Sequence, residues 1–228
     1  MYAFEKLLEP FYADEVEWRI QSSGVKGTRP WGFVLCYVTN RAIQNRLDET
    51  FGPQNWKNEF KSGPNGGVIC GISVNCGEWV TKWDGADNTE IEEIKGGLSG
   101  AMKRAAVQWG IGRYLYELDA TFALFSDGGA YSAKIDGKRY KWDPPELPEW
   151  ALPSPLAQKR DIECLVERLR QCKTGEDLEF YAKRIKPKVV RNKFSELFVD
   201  EYRMLYRGAM NGSINGEDRS PVQGIGDD

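Results

Sequence analysis

Residues 89–116, TEIEEIKGGLSGAMKRAAVQWGIGRYLY, restrict the fold more than any other stretch of the chain. Their spacing predicts one long helix running into a glycine-bent turn. Thr89 with Glu92 makes a capping-box start, and Glu90, Glu92 and Glu93 crowd the first turn, where the helix dipole favours acids. Ile91, Ile94, Leu98, Ala101 and Ala105 recur at three- and four-residue steps and form one apolar stripe. Lys103 lies about 200° around the helix from Ala101, so its ammonium points away from that stripe. Gly96, Gly97, Ser99, Gly100, Ala101, Ala105 and Ala106 make the helix slim. An interior glycine costs roughly 1 kcal/mol against alanine, so three of them predict that another backbone comes close. From Lys95 to Tyr116 the chain carries Lys95, Lys103, Arg104 and Arg113 and no acid. Two readings fit: snorkelling cations on the wet side of a core helix, or a face that receives an anion.

Composition narrows the function classes. With 228 residues the chain suffices for one sizeable domain and a small appendage. No histidine occurs, which removes His-based triads, most zinc sites and the usual neutral-pH general base. Cys36, Cys70, Cys76, Cys164 and Cys172 form an odd set without a CxxC pair, as expected for idle thiols in a reducing cytosol. No run of 18 apolar residues suggests a membrane span, and Met1–Glu15 has early acids instead of a cleavable apolar segment, so a cytoplasmic protein is expected. The formal net charge of −3 is uneven: residues 1–150 carry −4, 151–210 carry +4 and 211–228 carry −3. Overall acidity is therefore compatible with a nucleic-acid partner, because binding follows local clustering.

In chain order, residues 1–12 read as a short helix closed by Pro10, and Glu15–Gln21 as a strand or extended arm. Gly24–Pro30 reads as a turn-rich loop. Trp31–Val38 is a nearly continuous apolar strand, expected to be covered on both faces. Thr39 or Asn40 caps a helix with Ile43, Leu47 and Phe51 inside and Gly52-Pro53 at its end. A meander follows: Trp56–Lys61, an Asn-Gly turn at 64–67, Val68–Cys76 and Glu78–Trp83. The expected fold is α+β, with a β-α-β-β-β-α core whose antiparallel meander packs on the long helix. An Asp136-Gly137 turn predicts an extra hairpin over 131–142. The proline-rich stretch 146–155 reads as a stiff linker between a domain at 1–145 and a helical one at 156–210. In the latter, Gly175 and Pro187 are expected to separate about three helices. Lys183–Lys193 holds six basic residues and no acid, either a solvated face or a contact for an acidic partner. Residues 211–228 are polar, glycine-rich and acidic, and are expected to be disordered.

Two motifs carry a family resemblance. The run from Tyr37 through Arg41 to Phe51-Gly52 and Trp56 resembles the first strand-helix unit of single-strand annealing proteins of the Rad52/Rad22 type, particularly their phage Sak branch. The segment Gly100–Tyr116, with Lys103-Arg104, Trp109-Gly110 and Gly112-Arg113-Tyr114, is similar to that family's signature helix. The resemblance covers about residues 10–145. It implies rings or open helical homo-oligomers, a groove that holds single-stranded DNA by its backbone, and annealing without ATP or any cofactor. It matches Lys103 and Arg104 to the paired groove cations, Lys95 to an earlier basic position and Arg41 to an arginine of the first helix. Val107 stands where eukaryotic members carry a further basic residue, and Pro53 where they place a tyrosine. Arg113 or Lys82 would then substitute. Trp31, Tyr37, Tyr114 and Tyr116 are candidate base-stacking side chains, each also a candidate for the core, and Trp109 is expected in the core. Residues 156–210 are a candidate docking domain for a single-strand-binding protein or an exonuclease. The alternatives are a metal-dependent nuclease using Asp84, Asp87, Glu90, Glu92 and Glu93, or an RNA-binding assembly protein.

Overall fold

The computed structural model describes residues 2–87, 93–119 and 121–210, without the side chains of 2, 3, 65, 93–95 and 210. The acidic tail 211–228 and the expected cap at Thr89 and Glu92 lie outside the described residues. The chain divides into two compact units, Met1–Pro153 and Ser154–Asp228.

The first unit opens with helix α1 (Tyr2–Leu8), which packs on α2 (Asn40–Phe51). The Thr39 side chain accepts from the Ala42 N–H and starts α2, and Gly52, at φ 81°, ends it. Arg46 of α2 is buried beneath α1. Its Nη1 donates to the carbonyls of Lys6 and Glu9 at 2.7 and 2.8 Å, its Nη2 to that of Pro10 at 3.3 Å, and its guanidinium lies 4.0 Å over the Phe11 ring. The Lys6 carbonyl is in the last turn of α1, where Pro10 has no N–H to donate four residues on, and this arginine supplies a donor to it and to the two carbonyls just past the helix.

Strands β1 (Val16–Lys26) and β2 (Arg29–Val38) form an antiparallel hairpin from Val16↔Val38 to Lys26↔Arg29. The loop expected at 24–30 is therefore only Gly27-Thr28, with Gly27 at φ 65°. The two strands pair on to the turn because glycine admits the left-handed conformation there. The expectation that β2 is covered on both faces also fails: Trp31 and Leu35 are 41% and 46% exposed. Only Gly32, Val34 and Val38 of β2 are fully covered; in the sheet β1 and a two-residue strand, β6 (Thr121–Phe122), flank it, and Trp31 and Leu35 stay open on its other face.

The second sheet is the meander β3 (Trp56–Ser62), β4 (Val68–Asn75) and β5 (Trp79–Ala86), joined in that order. The 64–66 turn is a short 3-10 turn within the hairpin. Cys70, Ile72 and Val74 of the central strand turn inward as alternation predicts. Helix α3 (Glu93–Gln108) crosses β4 and β5. A Cβ on Gly100 would sit 3.1 Å from the Ala86 Cβ, so the expected close approach is present at that residue. Leu7, Phe11, Ile43, Leu47, Ile72, Ala101, Ala105 and Ile111 form the shared core. A third sheet joins β7 (Leu124–Phe125), β9 (Lys138–Asp143) and β8 (Tyr131–Ile135); Asp136 and Gly137, at φ 48° and 81°, make its tight turn. The stretch expected as a linker is packed up to Pro153: Leu147 touches the core, Ala151 is buried, and the Trp150 ring meets Tyr114 edge-on at 6.5 Å.

The second unit is α4 (Pro155–Arg170), α5 (Gly175–Val190) and α6 (Ser195–Met210) around Ile162, Leu169, Leu178, Ile185 and Phe198. Ser154 caps α4 and a Thr174–Asp177 capping box starts α5. Pro187 does not end a helix as expected but lies inside α5. Pro187 and Lys183, whose carbonyl loses its helical donor, are both exposed, so the proline falls on the solvent side of α5, where the loss costs least. The break falls at 191–194, where the buried Asn192 donates to the Gln158 carbonyl at 2.6 Å and accepts from the Phe194 N–H at 2.8 Å.

Candidate nucleic-acid interface

Consecutive residues on a helix diverge by about 100°, so Lys103 and Arg104 of α3 reach different neighbours. The Lys103 ammonium lies 3.3 Å from Glu17 Oε2 on β1 and 4.0 Å above the Tyr37 ring on β2. Its side chain is 23% exposed, that of Arg104 59%. Arg104 donates through Nε to Asp84 Oδ1 on β5 at 3.1 Å. Asp84 also accepts from its neighbour Gly85 N–H at 2.7 Å and from Gln108 Nε2 at 2.9 Å. Partial burial alone would raise the Asp84 carboxyl. The bonds from Gln108, Gly85 and Arg104, with the guanidinium charge, outweigh it and hold the group below its ordinary value.

Lys82 and Arg113 converge on the C-terminal end of α3. Lys82 Nζ donates to the Gln108 carbonyl at 3.0 Å and lies 4.5 Å over the Trp109 ring. Arg113 donates to the Val107 carbonyl through Nε at 3.0 Å and Nη2 at 2.7 Å, and to that of Gln108 at 3.0 Å. Both cations close the negative end of the helix dipole, which gives them a structural duty before any ligand arrives. Arg41, in the first turn of α2, is exposed and has no hydrogen-bond or ion-pair partner among the described residues. Lys95 belongs to α3, and its side chain lies outside the described residues.

A cleft of about 340 Å³ runs between β2, α3 and the turn that follows it, with Trp18, Tyr37, Lys103, Arg104, Val107 and Tyr116 in its lining. Its floor is largely apolar, and the two α3 cations belong to its wall. Arg41, Lys82 and Arg113 do not line it. The aromatic candidates separate. Tyr116 is 74% exposed and lines the cleft. Tyr37 lines it too, half-buried under Lys103; burial and then the Glu17 charge raise its hydroxyl pKa. Tyr114 belongs to the interior: its hydroxyl accepts from the Phe11 N–H at 2.9 Å, and burial pushes it up to about 12. Trp31 sits at the hairpin tip against Gly24, away from the cleft. Trp109 is buried, with its indole N–H on the Ile72 carbonyl at 3.0 Å.

Sequence reasoning missed Glu17 as a partner of Lys103, and it considered Asp84 only as a metal ligand in the alternative nuclease reading. Glu17 is 86 positions away from Lys103, and no local pattern announces that pairing. Asp87 is exposed, while Glu90, Glu92 and the Glu93 side chain lie outside the described residues.

Comparison with known proteins bears on the same segment. The model of a family described as Rad52/22 double-strand break repair proteins matches residues 3–128, which run from within α1 through α3 and β6 and take in the cleft. The single-stranded DNA-binding protein DdrA of Deinococcus radiodurans is 36% identical over 153 residues, covering 65% of this chain and 67% of the relative. DdrA of Deinococcus deserti is 32% identical over 158 residues, covering 65% and 69%.

Proposed function

The chain belongs to the Rad52/22 family of double-strand break repair proteins, and on that premise we propose that it binds single-stranded DNA and anneals complementary strands in recombination and repair. The observation that carries the reading is the stretch Lys95–Tyr116, which has no acid and whose Lys103 and Arg104 on α3 stand in the wall of an apolar cleft. Annealing requires a strand held by its phosphates with base edges free to test a second strand. Cations without base-specific partners do this, and Tyr116 offers an exposed ring to a base. Two single-stranded DNA-binding relatives support the same ligand.

The finer reading is a homo-oligomeric ring or helix, which aligns a few cations per copy into a continuous track and gains avidity from modest sites. Arg41 and Lys95 extend that track. Arg113 and Lys82 join it if a phosphate draws them from the end of α3. No ATP, metal or other cofactor takes part, and the protein is not an enzyme. Residues 156–210 form a separate domain that recruits a single-strand-binding protein or an exonuclease, with 183–193 as the contact. No described helix is long and apolar enough to cross a membrane, and the proposed site of action is the cytoplasm, on a phage or host substrate.

The nuclease alternative is disfavoured by Asp84, whose oxygens are taken by Gly85, Arg104 and Gln108. Gel-shift and annealing assays at fixed salt test the proposal with Lys103→Ala/Arg104→Ala. Loss of both activities with unchanged melting is expected, and parent-like affinity refutes the site. Labelled strands incubated with magnesium or manganese separate cleavage from annealing, and RNA competition at matched salt tests the RNA-binding alternative.

A further inference from the structure

The two α3 cations differ in how much of each remains for a ligand. Arg104 commits only Nε to Asp84; its terminal nitrogens have no partner among the described residues. Asp84 is itself fixed by Gly85 and Gln108, at 2.7 and 2.9 Å. A guanidinium is planar, so anchoring Nε on a fixed carboxylate sets the direction of its terminal fork, the part that grips a phosphate bidentately. Lys103 is the reverse case. Its ammonium is a point charge already committed to Glu17 and the Tyr37 ring, and Glu17 is 53% exposed.

We propose that these two carboxylates act on strand binding with opposite sign. Asp84 is a positioning residue that aims the Arg104 fork at a phosphate, whereas Glu17 is a built-in competitor that holds Lys103 until a phosphate displaces it. The inference rests on the reading of α3 as the single-strand face. A phosphate arriving at Lys103 gains only the difference between two exposed ion pairs. Each subunit's grip is therefore weaker, and release faster, than its count of cations implies. That suits a protein whose strands must slide and re-pair before they commit.

The test titrates fluorescent oligothymidylate at fixed salt with Glu17→Gln, Asp84→Asn and, as a control for losing one negative charge elsewhere, Glu78→Gln. Lys103→Ala/Arg104→Ala is measured alongside. Glu17→Gln is expected to bind about two- to fivefold tighter than the control, the range of one exposed ion pair. Asp84→Asn is expected to bind weaker than the control although it too removes a negative charge, and to have no such effect in an Arg104→Ala background. If Asp84→Asn lowers the melting temperature, Arg104→Lys, which keeps the charge but loses the Nε anchor, replaces it and is also expected to bind weaker. Should the double-cation variant bind like the parent, the reading of the site itself fails. Should that variant lose binding while Glu17→Gln matches the control, or Asp84→Asn and Arg104→Lys bind as tightly as their references, the inference is overturned and the site stands.

Discussion

Arg46 belongs to the motif that carries the family resemblance, yet its position makes it a folding residue. Replacing it with alanine removes three charge-assisted donors from the carbonyls of Lys6, Glu9 and Pro10, at 2.7, 2.8 and 3.3 Å, together with its contact over Phe11. Those residues are half-buried, so water recovers part of the loss. Truncating a buried, satisfied charged group costs about 3–5 kcal/mol. For a unit of this size each kcal/mol lowers the melting temperature by about 2–4 °C, which gives a drop of about 10 °C. Arg46→Lys keeps a charge but not the fork, and is expected to lose about half as much. Urea and thermal unfolding followed by tryptophan fluorescence read both variants. Below the unfolding transition Arg46→Ala should bind single strands like the parent, because the side chain is only 8% exposed. An Arg46→Ala protein within 1 kcal/mol of the parent, or one fully folded but unable to bind, would falsify this account.

Tyr116→Ala is expected to weaken single-strand binding by about 1–3 kcal/mol without changing stability, by anisotropy and melting. Tyr114→Phe should do the opposite, losing about 1 kcal/mol of stability with the Phe11 hydrogen bond and leaving affinity alone. Because the Asp84 carboxyl is held below its ordinary 3.8, its contribution to stability is complete above that pH and is lost as pH falls through the folded value. Acid unfolding curves of Asp84→Asn should therefore converge with the parent's at low pH, and a constant gap down to pH 2 would contradict the assignment. Burial pushes the Cys36 and Cys70 thiols up to about 12 and about 11, while Cys76 and Cys164 are exposed. In the native protein at pH 8 a thiol reagent should label the exposed pair quickly, Cys36 in the cleft lining more slowly, and the buried Cys70 only on unfolding.

The element order from β2 to α3 was legible in the chain because each element announces itself locally. Alternation in 68–76, the Gly52 stop, the Asp136-Gly137 turn and the small residues of 96–106 each depend on neighbours a few positions apart. The acid-free stretch from Lys95 to Tyr116, with Lys103 and Arg104, was equally visible. Where local signals misled, the deciding partner was distant. The apolar run of β2 implied two covered faces, but coverage depends on what packs above it. Pro187 implied a helix end, but its solvent-facing side tolerates the missing donor, and the break went to the Asn192–Gln158 contact instead.

Periodicity thus determined which residues form helices and strands, and which face of each is apolar. The sequence also shows that past Lys95 one slim helix carries cations and no acid. Only the tertiary structure decided what each cation does. The hairpin brought Glu17 to Lys103, β5 brought Asp84 to Arg104, and α1 closed over Arg46. Charge type is a property of one residue, but charge availability depends on where the chain returns. That is settled by strand register and helix crossing, which bring together groups dozens of positions apart.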